Sequence, residues 1–178
     1  HLTVNGIVST AEVRGINYTL PSSTGSTPTL SALLSSASGA SGFVGGLVGT
    51  ILNSWLKDSV VIAKVQGGNG VGGIAGSMSA STLGNDGHYG QVSCANAACA
   101  GIVAVSNQGQ VDGCASQGDI SNSSSDSNDA LAGGILGYSN NTLLMNSRFF
   151  GALSARNYLG GAIGKANGGF TLRTLAIT

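Results

Sequence analysis

The sequence predicts an all-β fold: a parallel β-solenoid with about three short strands in each coil of roughly 27 residues, wound right-handed as parallel crossovers are. Three observations predict it. A glycine-marked signature returns at near-constant spacing, short apolar pieces keep fixed offsets from it, and a polar run lengthens one interval without disturbing those offsets.

The signature is anchored on the second residue of each Gly-Gly or Ala-Gly pair. These anchors are Gly46, Gly73, Gly101, Gly134 and Gly161, at intervals of 27, 28, 33 and 27 residues. Two apolar residues follow each anchor, from Leu47-Val48 to Ala162-Ile163, and then a small one: Gly49, Gly76, Ala104, Gly137 and Gly164. Ten residues past the anchor stand Leu56, Leu83, Val111 and Leu144, and the fifth copy slips to Thr171-Leu172. Short polar residues dominate offsets twelve and thirteen. Ala63, Gly90, Gly118 and Gly151 mark offset seventeen, with Val65, Val92, Ile120 and Leu153 at nineteen. The longest interval holds the Ser/Asn/Asp run Ser121 to Ala130, where a repeat places an exposed insertion.

The apolar pieces are too short for helices, and their Val and Ile content favours strands. One copy cannot bury them. Stacked at the strand spacing of about 4.8 Å, each coil pairs with the one above and the one below. The anchor and offset-seventeen glycines are expected at corners where φ turns positive. Asn85 and Asn146, at offset twelve, are expected to share that use and to form side-chain ladders.

The repeats occupy residues 45–178, five copies with the last incomplete. Thr178 falls seventeen residues past Gly161, so a fragment boundary or a covering subunit is expected there. Residues 1–44 read as an N-terminal cap or degenerate coil, Leu2 to Leu20, followed by a Ser/Thr/Gly-rich stretch. Within that stretch Thr27 to Ser36 is either a short helix or a surface loop.

Gly45-Gly46-Leu47-Val48-Gly49, Gly72-Gly73-Ile74-Ala75-Gly76 and Gly133-Gly134-Ile135-Leu136-Gly137, extended by Asn146-Ser147 and Gly151, resemble the GLUG repeat. The resemblance covers roughly residues 45 to 178. It implies a spacer or adhesive region of a large secreted or surface-anchored protein, as in immunoglobulin A peptidases and filamentous-haemagglutinin-like adhesins. No catalytic motif travels with the repeat. The peptidases carry their HExxH zinc motif in a separate domain, and the only histidines here are His1 and His88.

Composition narrows the function classes. With 42% hydrophobic residues, 8% charged residues and zero formal net charge, and a mean hydropathy of +0.26, the chain lacks the signature of disorder. It also lacks the basic field that holds nucleic acid. The most apolar stretch, Gly42 to Leu52, is broken by glycines and falls short of the roughly 20 residues a spanning helix needs, so no transmembrane segment is expected. Asn17, Asn122 and Asn140 head N-glycosylation tripeptides and favour secretion. Cys94 and Cys99 flank a turn between two expected strands and read as a disulfide, leaving Cys114 spare, without the spacing of a zinc site.

Chemistry-bearing patterns are few. No phosphate loop is present and no cofactor is expected. His88, within Asn85-Asp86-Gly87-His88-Tyr89, reads as an exposed loop histidine. Asp58, Asp86 and Asp112 sit at offsets 12, 13 and 11 of successive copies. Strand geometry would put Asp86 and Asp112 about 8 Å apart, the separation of an inverting carboxylate pair, against the plainer reading of solvated corners. Asp126, Asn128 and Asp129 supply oxygen ligands without the spacing of a calcium loop, so a metal site there is the lesser reading. The function expected is an extracellular adhesive or structural spacer whose lateral faces meet a glycan or cell-surface ligand. The alternatives are a subunit that polymerises end-on with copies of itself and, behind it, a glycan-cleaving enzyme.

Overall fold

The computed structural model describes residues 3–10, 13–14, 42–125 and 130–178, and among them no helix occurs. Asn17, Asp126, Asn128, Asp129 and the Thr27–Ser36 stretch lie outside the described residues. The strands run in successive sets. The first is β1 (Thr3–Asn5), β2 (Val8–Ser9), β3 (Val13–Arg14) and β4 (Phe43–Gly45). The second is β5 (Val48–Leu52), β6 (Trp55–Lys57), β7 (Val60–Val61), β8 (Val65–Gly67) and β9 (Gly70–Gly72). The third is β10 (Ala75–Ser79), β11 (Thr82–Gly84), β12 (Gly87–Tyr89), β13 (Val92–Cys94) and β14 (Ala98–Ala100). The fourth is β15 (Val103–Asn107), β16 (Gln110–Asp112), β17 (Ala115–Gln117), β18 (Ile120–Asn122) and β19 (Leu131–Gly133). The last strands are β20 (Leu136–Met145), β21 (Arg148–Phe150), β22 (Leu153–Ser154), β23 (Tyr158–Gly160), β24 (Ile163–Leu172) and β25 (Leu175–Ile177).

Every pairing is parallel, and each ladder steps by one sequence repeat. Trp55 pairs with Thr82, Thr82 with Gln110, and Gln110 with Leu143. Val65, Val92, Ile120 and Leu153 form a second such series. The N-terminal strands join the same ladders, Thr3 opposite Trp55, Val8 opposite Val60 and Val13 opposite Val65. Among the described residues the result is four parallel sheets, of nine, six, five and five strands. The polar insertion leaves the register intact: β18 ends at Asn122 and Leu131 resumes opposite Ala98.

Each of the first three full repeats carries five short strands where three were expected, and the fourth carries four, with the ten-residue β20 in place of the first two. Two bends account for the difference. At offset seven Asn53, Ala80, Gln108 and Asn141 have φ between 46° and 52°. At offset twelve Asp58, Asn85, Asn146 and Arg173 do the same, with φ between 47° and 57°. In the first three repeats this left-handed backbone turns the chain sharply enough to end one strand and start another, whereas β20 runs on through Asn141. Asn85 also donates from Nδ2 to Asp58 Oδ1 at 3.2 Å, a rung of the ladder expected at that offset.

The anchor glycines have a different physical reason from the one expected. None of Gly46, Gly73, Gly101, Gly134 and Gly161 has positive φ. What they lack is a Cβ: on Gly73 it would strike the His88 ring and the Gly101 carbonyl, and on Gly134 the Phe149 ring and the Gly161 carbonyl. Each anchor therefore gives its space to the inward residue fifteen positions later. Offset seventeen does use conformational freedom, as Gly90 shows with φ 155° and the Ala63 carbonyl packed where a Cβ would sit.

Inward positions build one stacked core. Leu56, Leu83, Val111 and Leu144 are at most 2% exposed, as are Val65, Val92 and Ile120. Each such side chain contributes about 2 kcal/mol by leaving water. A second apolar cluster of Phe43, Ala98, Leu131, Ala104, Val105 and Tyr138 joins the outer sides of β4, β14 and β19 to those of β15 and β20. The small residue three places after each anchor serves this junction: a Cβ on Gly76 would lie 2.6 Å from the Val44 nitrogen.

Candidate functional site

The chemistry-bearing side chains gather on the inside of the β7–β12–β17–β21 wall. Offset thirteen carries Ser59, Asp86, Cys114 and Ser147, each at most 1% exposed. Their side chains serve the backbone. Asp86 Oδ1 accepts the Ser59 N–H at 3.0 Å and its Oδ2 the Gly84 N–H at 3.1 Å. Ser147 Oγ accepts the Cys114 N–H at 3.2 Å and donates to the Met145 carbonyl at 2.7 Å. The column thus satisfies, from one turn to the next, donors that the corner would leave bare.

Burial governs the titration of these groups. Removal from water pushes the Asp86 carboxyl up to about 7, against the two N–H groups that favour its charged form. The Cys114 thiol is pushed up to about 12, first by burial and then by the Asp86 carboxyl, so it stays an inert thiol. His88 is not the exposed loop histidine expected. It lies in β12 with no exposed surface, because residues alternate along a strand and its neighbours Gly87 and Tyr89 take the outer side. Its Nε2 lies 3.1 Å from the Ala63 carbonyl, which makes that nitrogen the N–H, and burial pulls its pKa down to about 4. His88 Nδ1 has no partner; neither does Oγ of Ser116, the next residue of the same inward column.

The structure does not pair Asp86 with Asp112 across a cleft. Asp86 faces the interior, whereas Asp112 sits at the surface in β16, where its Oδ1 accepts Asn146 Nδ2 at 2.8 Å. Two residues of offset turn one carboxylate inward and leave the other outside. Among the described residues no three of His, Cys, Asp and Glu come together as a metal group. A concavity of about 400 Å³ at the last turn is lined by Ala152, Leu153, Leu159, Gly160, Gly161 and Thr178, none of them titratable in the side chain.

Cys94 and Cys99 are joined in a disulfide between β13 and β14, and Cys114 is free and buried. Asn122 is buried, its Nδ2 donating to the Ala97 carbonyl at 2.7 Å and the Leu131 carbonyl at 3.0 Å. A glycan on that nitrogen is incompatible with this fold, because the amide that would carry it is buried and engaged with those two carbonyls. Asn140 belongs to an amide ladder: its Nδ2 donates to Asn107 Oδ1 at 2.7 Å, and its Oδ1 accepts Asn167 Nδ2 at 3.0 Å.

The outside of the same wall is what the sequence reading missed. At offset sixteen Ile62, Tyr89, Phe150 and Ile177 are 52%, 39%, 37% and 53% exposed, with exposed Gln117 between the two rings. At offset fourteen, on the same outer side, stand Gly87, Ala115, Arg148 and Leu175. Aligning the repeats at offset sixteen would have shown this apolar column, since an inward position and an outward one cannot both be apolar by burial alone. Among the described residues no helix is long and apolar enough to cross a membrane. Comparison of the chain with protein-family models, curated proteins and solved structures finds no match.

Proposed function

We propose that this chain is a non-enzymatic adhesive or spacer module of a secreted or cell-surface protein, a right-handed parallel β-solenoid of GLUG-like repeats. One observation carries the reading. Asp86, His88 and Cys114 are buried and engaged in holding the stack, while Ile62, Tyr89, Phe150 and Ile177 form an exposed apolar column along one lateral wall. Reactive groups withdrawn from solvent favour a structural role, and an exposed apolar column favours contact with a ligand.

Two further facts support it. A disulfide between Cys94 and Cys99 suits an oxidising compartment. Parallel ladders stepping by one repeat suit an elongated body that holds a binding face away from an anchor. The test is retention of the purified chain on a panel of immobilised extracellular polysaccharides and on intact cells, with release of reducing ends followed in parallel. Retention without sugar release is the expected result. Sugar release abolished by Asp86→Asn would replace this reading with the enzymatic one.

A further inference from the structure

The lateral wall also names a ligand chemistry. Tyr89 lies across Gly87 on its own strand: a Cβ on Gly87 would come within 3.0 Å of the ring's Cε2 and 3.5 Å of its hydroxyl. One face of the ring is therefore on the sheet and the residue stays 39% exposed, which makes the outer face a platform. The other exposed rings with a cation nearby are already covered. Lys57 Nζ sits 5.0 Å from the Trp55 ring centre, and Lys165 Nζ sits 4.6 Å from that of Tyr158.

One turn along the stack from Gly87 comes Ala115, and one further turn Arg148, about 10 Å from Gly87 at two strand spacings. The small Ala115 leaves an open floor between the Tyr89 platform and Arg148, with Gln117 beside it and Phe150 beyond. Arg148 is exposed, and its guanidinium has no hydrogen-bond or ion-pair partner among the described residues. It is the one charged residue among the outward positions of β12, β17 and β21, so the bay has an uncompensated positive charge at one end.

We propose that this bay binds a carboxylate-bearing sugar, the uronic-acid type of residue in an acidic extracellular polysaccharide. The C–H face of the sugar packs on Tyr89, its hydroxyls meet the Gln117 amide, and its carboxylate takes the two parallel N–H donors of Arg148. The inference rests on the adhesive reading of the same wall and specifies its ligand.

Oligogalacturonate and its methyl ester, the same rings without the charge, separate the two contributions when titrated calorimetrically in 0.15 M salt. Wild type is expected to bind the acid form more tightly than the ester. Arg148→Gln should weaken the acid form about tenfold and leave the ester unchanged, as the loss of one charge-assisted contact requires. Tyr89→Ala should weaken both forms, and Trp55→Ala, on another face, neither. All three positions are exposed, so unchanged melting temperatures serve as the folding control. The proposal is overturned if wild type binds neither form, if Arg148→Gln binds the acid form as wild type does, or if sedimentation shows two chains pairing through this wall. Retention on cells that survives any of these leaves the adhesive reading standing without this site.

Discussion

The imidazole of His88 occupies the space that a side chain on Gly73, fifteen residues earlier, would need. The same relationship joins Gly46 to Val61, Gly101 to Ser116 and Gly134 to Phe149, so the repeat is written as much in what its anchors lack as in what its strands contain. Gly73→Ala should overpack this contact and the stacked Gly101 carbonyl, costing about 3 kcal/mol. Gly84→Ala is the control: its Cβ would meet only the Lys57 side chain, 3.6 Å away, and it should be neutral or stabilising by about 0.5 kcal/mol. Urea unfolding of both variants reads the difference.

Asp86 and His88 pull stability in opposite directions with pH. Asp86 titrates near 7 in the folded chain and near its ordinary value of 3.8 when unfolded, so its contribution is full below about pH 4 and is lost as pH rises to about 7. His88 titrates near 4 when folded and near 6.5 when unfolded, so its contribution is present above about pH 6.5 and is lost as pH falls to about 4. The two offset each other across nearly the same window. Asp86→Ser keeps the column, since Ser59 and Ser147 already serve at that offset, and leaves the histidine alone: stability should then rise from pH 4 to 6.5. His88→Val, imitating Val61, should give the reverse slope. Denaturant midpoints at several pH values decide the matter, and parallel slopes for the two variants would contradict it.

The disulfide and the spare thiol make separate predictions. Opening the short Cys94–Cys99 loop should cost about 2 kcal/mol and leave the far-ultraviolet dichroism unchanged. Alkylation of the native chain should modify no cysteine, because Cys114 is buried with its thiol raised. After reduction and unfolding it should modify three, by mass.

Asn122 is structural on this account. Asn122→Ala leaves the Ala97 and Leu131 carbonyls without their side-chain donor and should destabilise by about 2 kcal/mol. In a host that attaches N-glycans, mass mapping should find Asn122 bare. Full occupancy there in a cooperatively folding chain would contradict the placement of its amide.

Much of the ladder register could be read from the sequence, because the apolar offsets at ten and nineteen are inward positions that must stay apolar in every turn. The five-strand count could not, since Ala80 and Gln108 bend the chain without a turn-forming residue type to mark them. His88 misled because its polar neighbours imitate a loop, when alternation along β12 had already committed it to the interior. The outer wall was hidden for a related reason. Tyr89 and Phe150 look like core residues in a pattern that records hydrophobicity but not direction.

The register itself is tested most directly by paired cysteines placed across β11 and β16 in a Cys114→Ser background. Thr82 and Gln110 are cross-strand partners, so Thr82→Cys with Gln110→Cys brings two Cα atoms within the reach of a disulfide. Thr82→Cys with Asp112→Cys separates them by about 8 Å, beyond that reach. Near-complete oxidation of the first pair and little of the second, measured by mass under native conditions, is the predicted result. Equal oxidation of both, or a preference for the second, would contradict a stack that steps by one repeat.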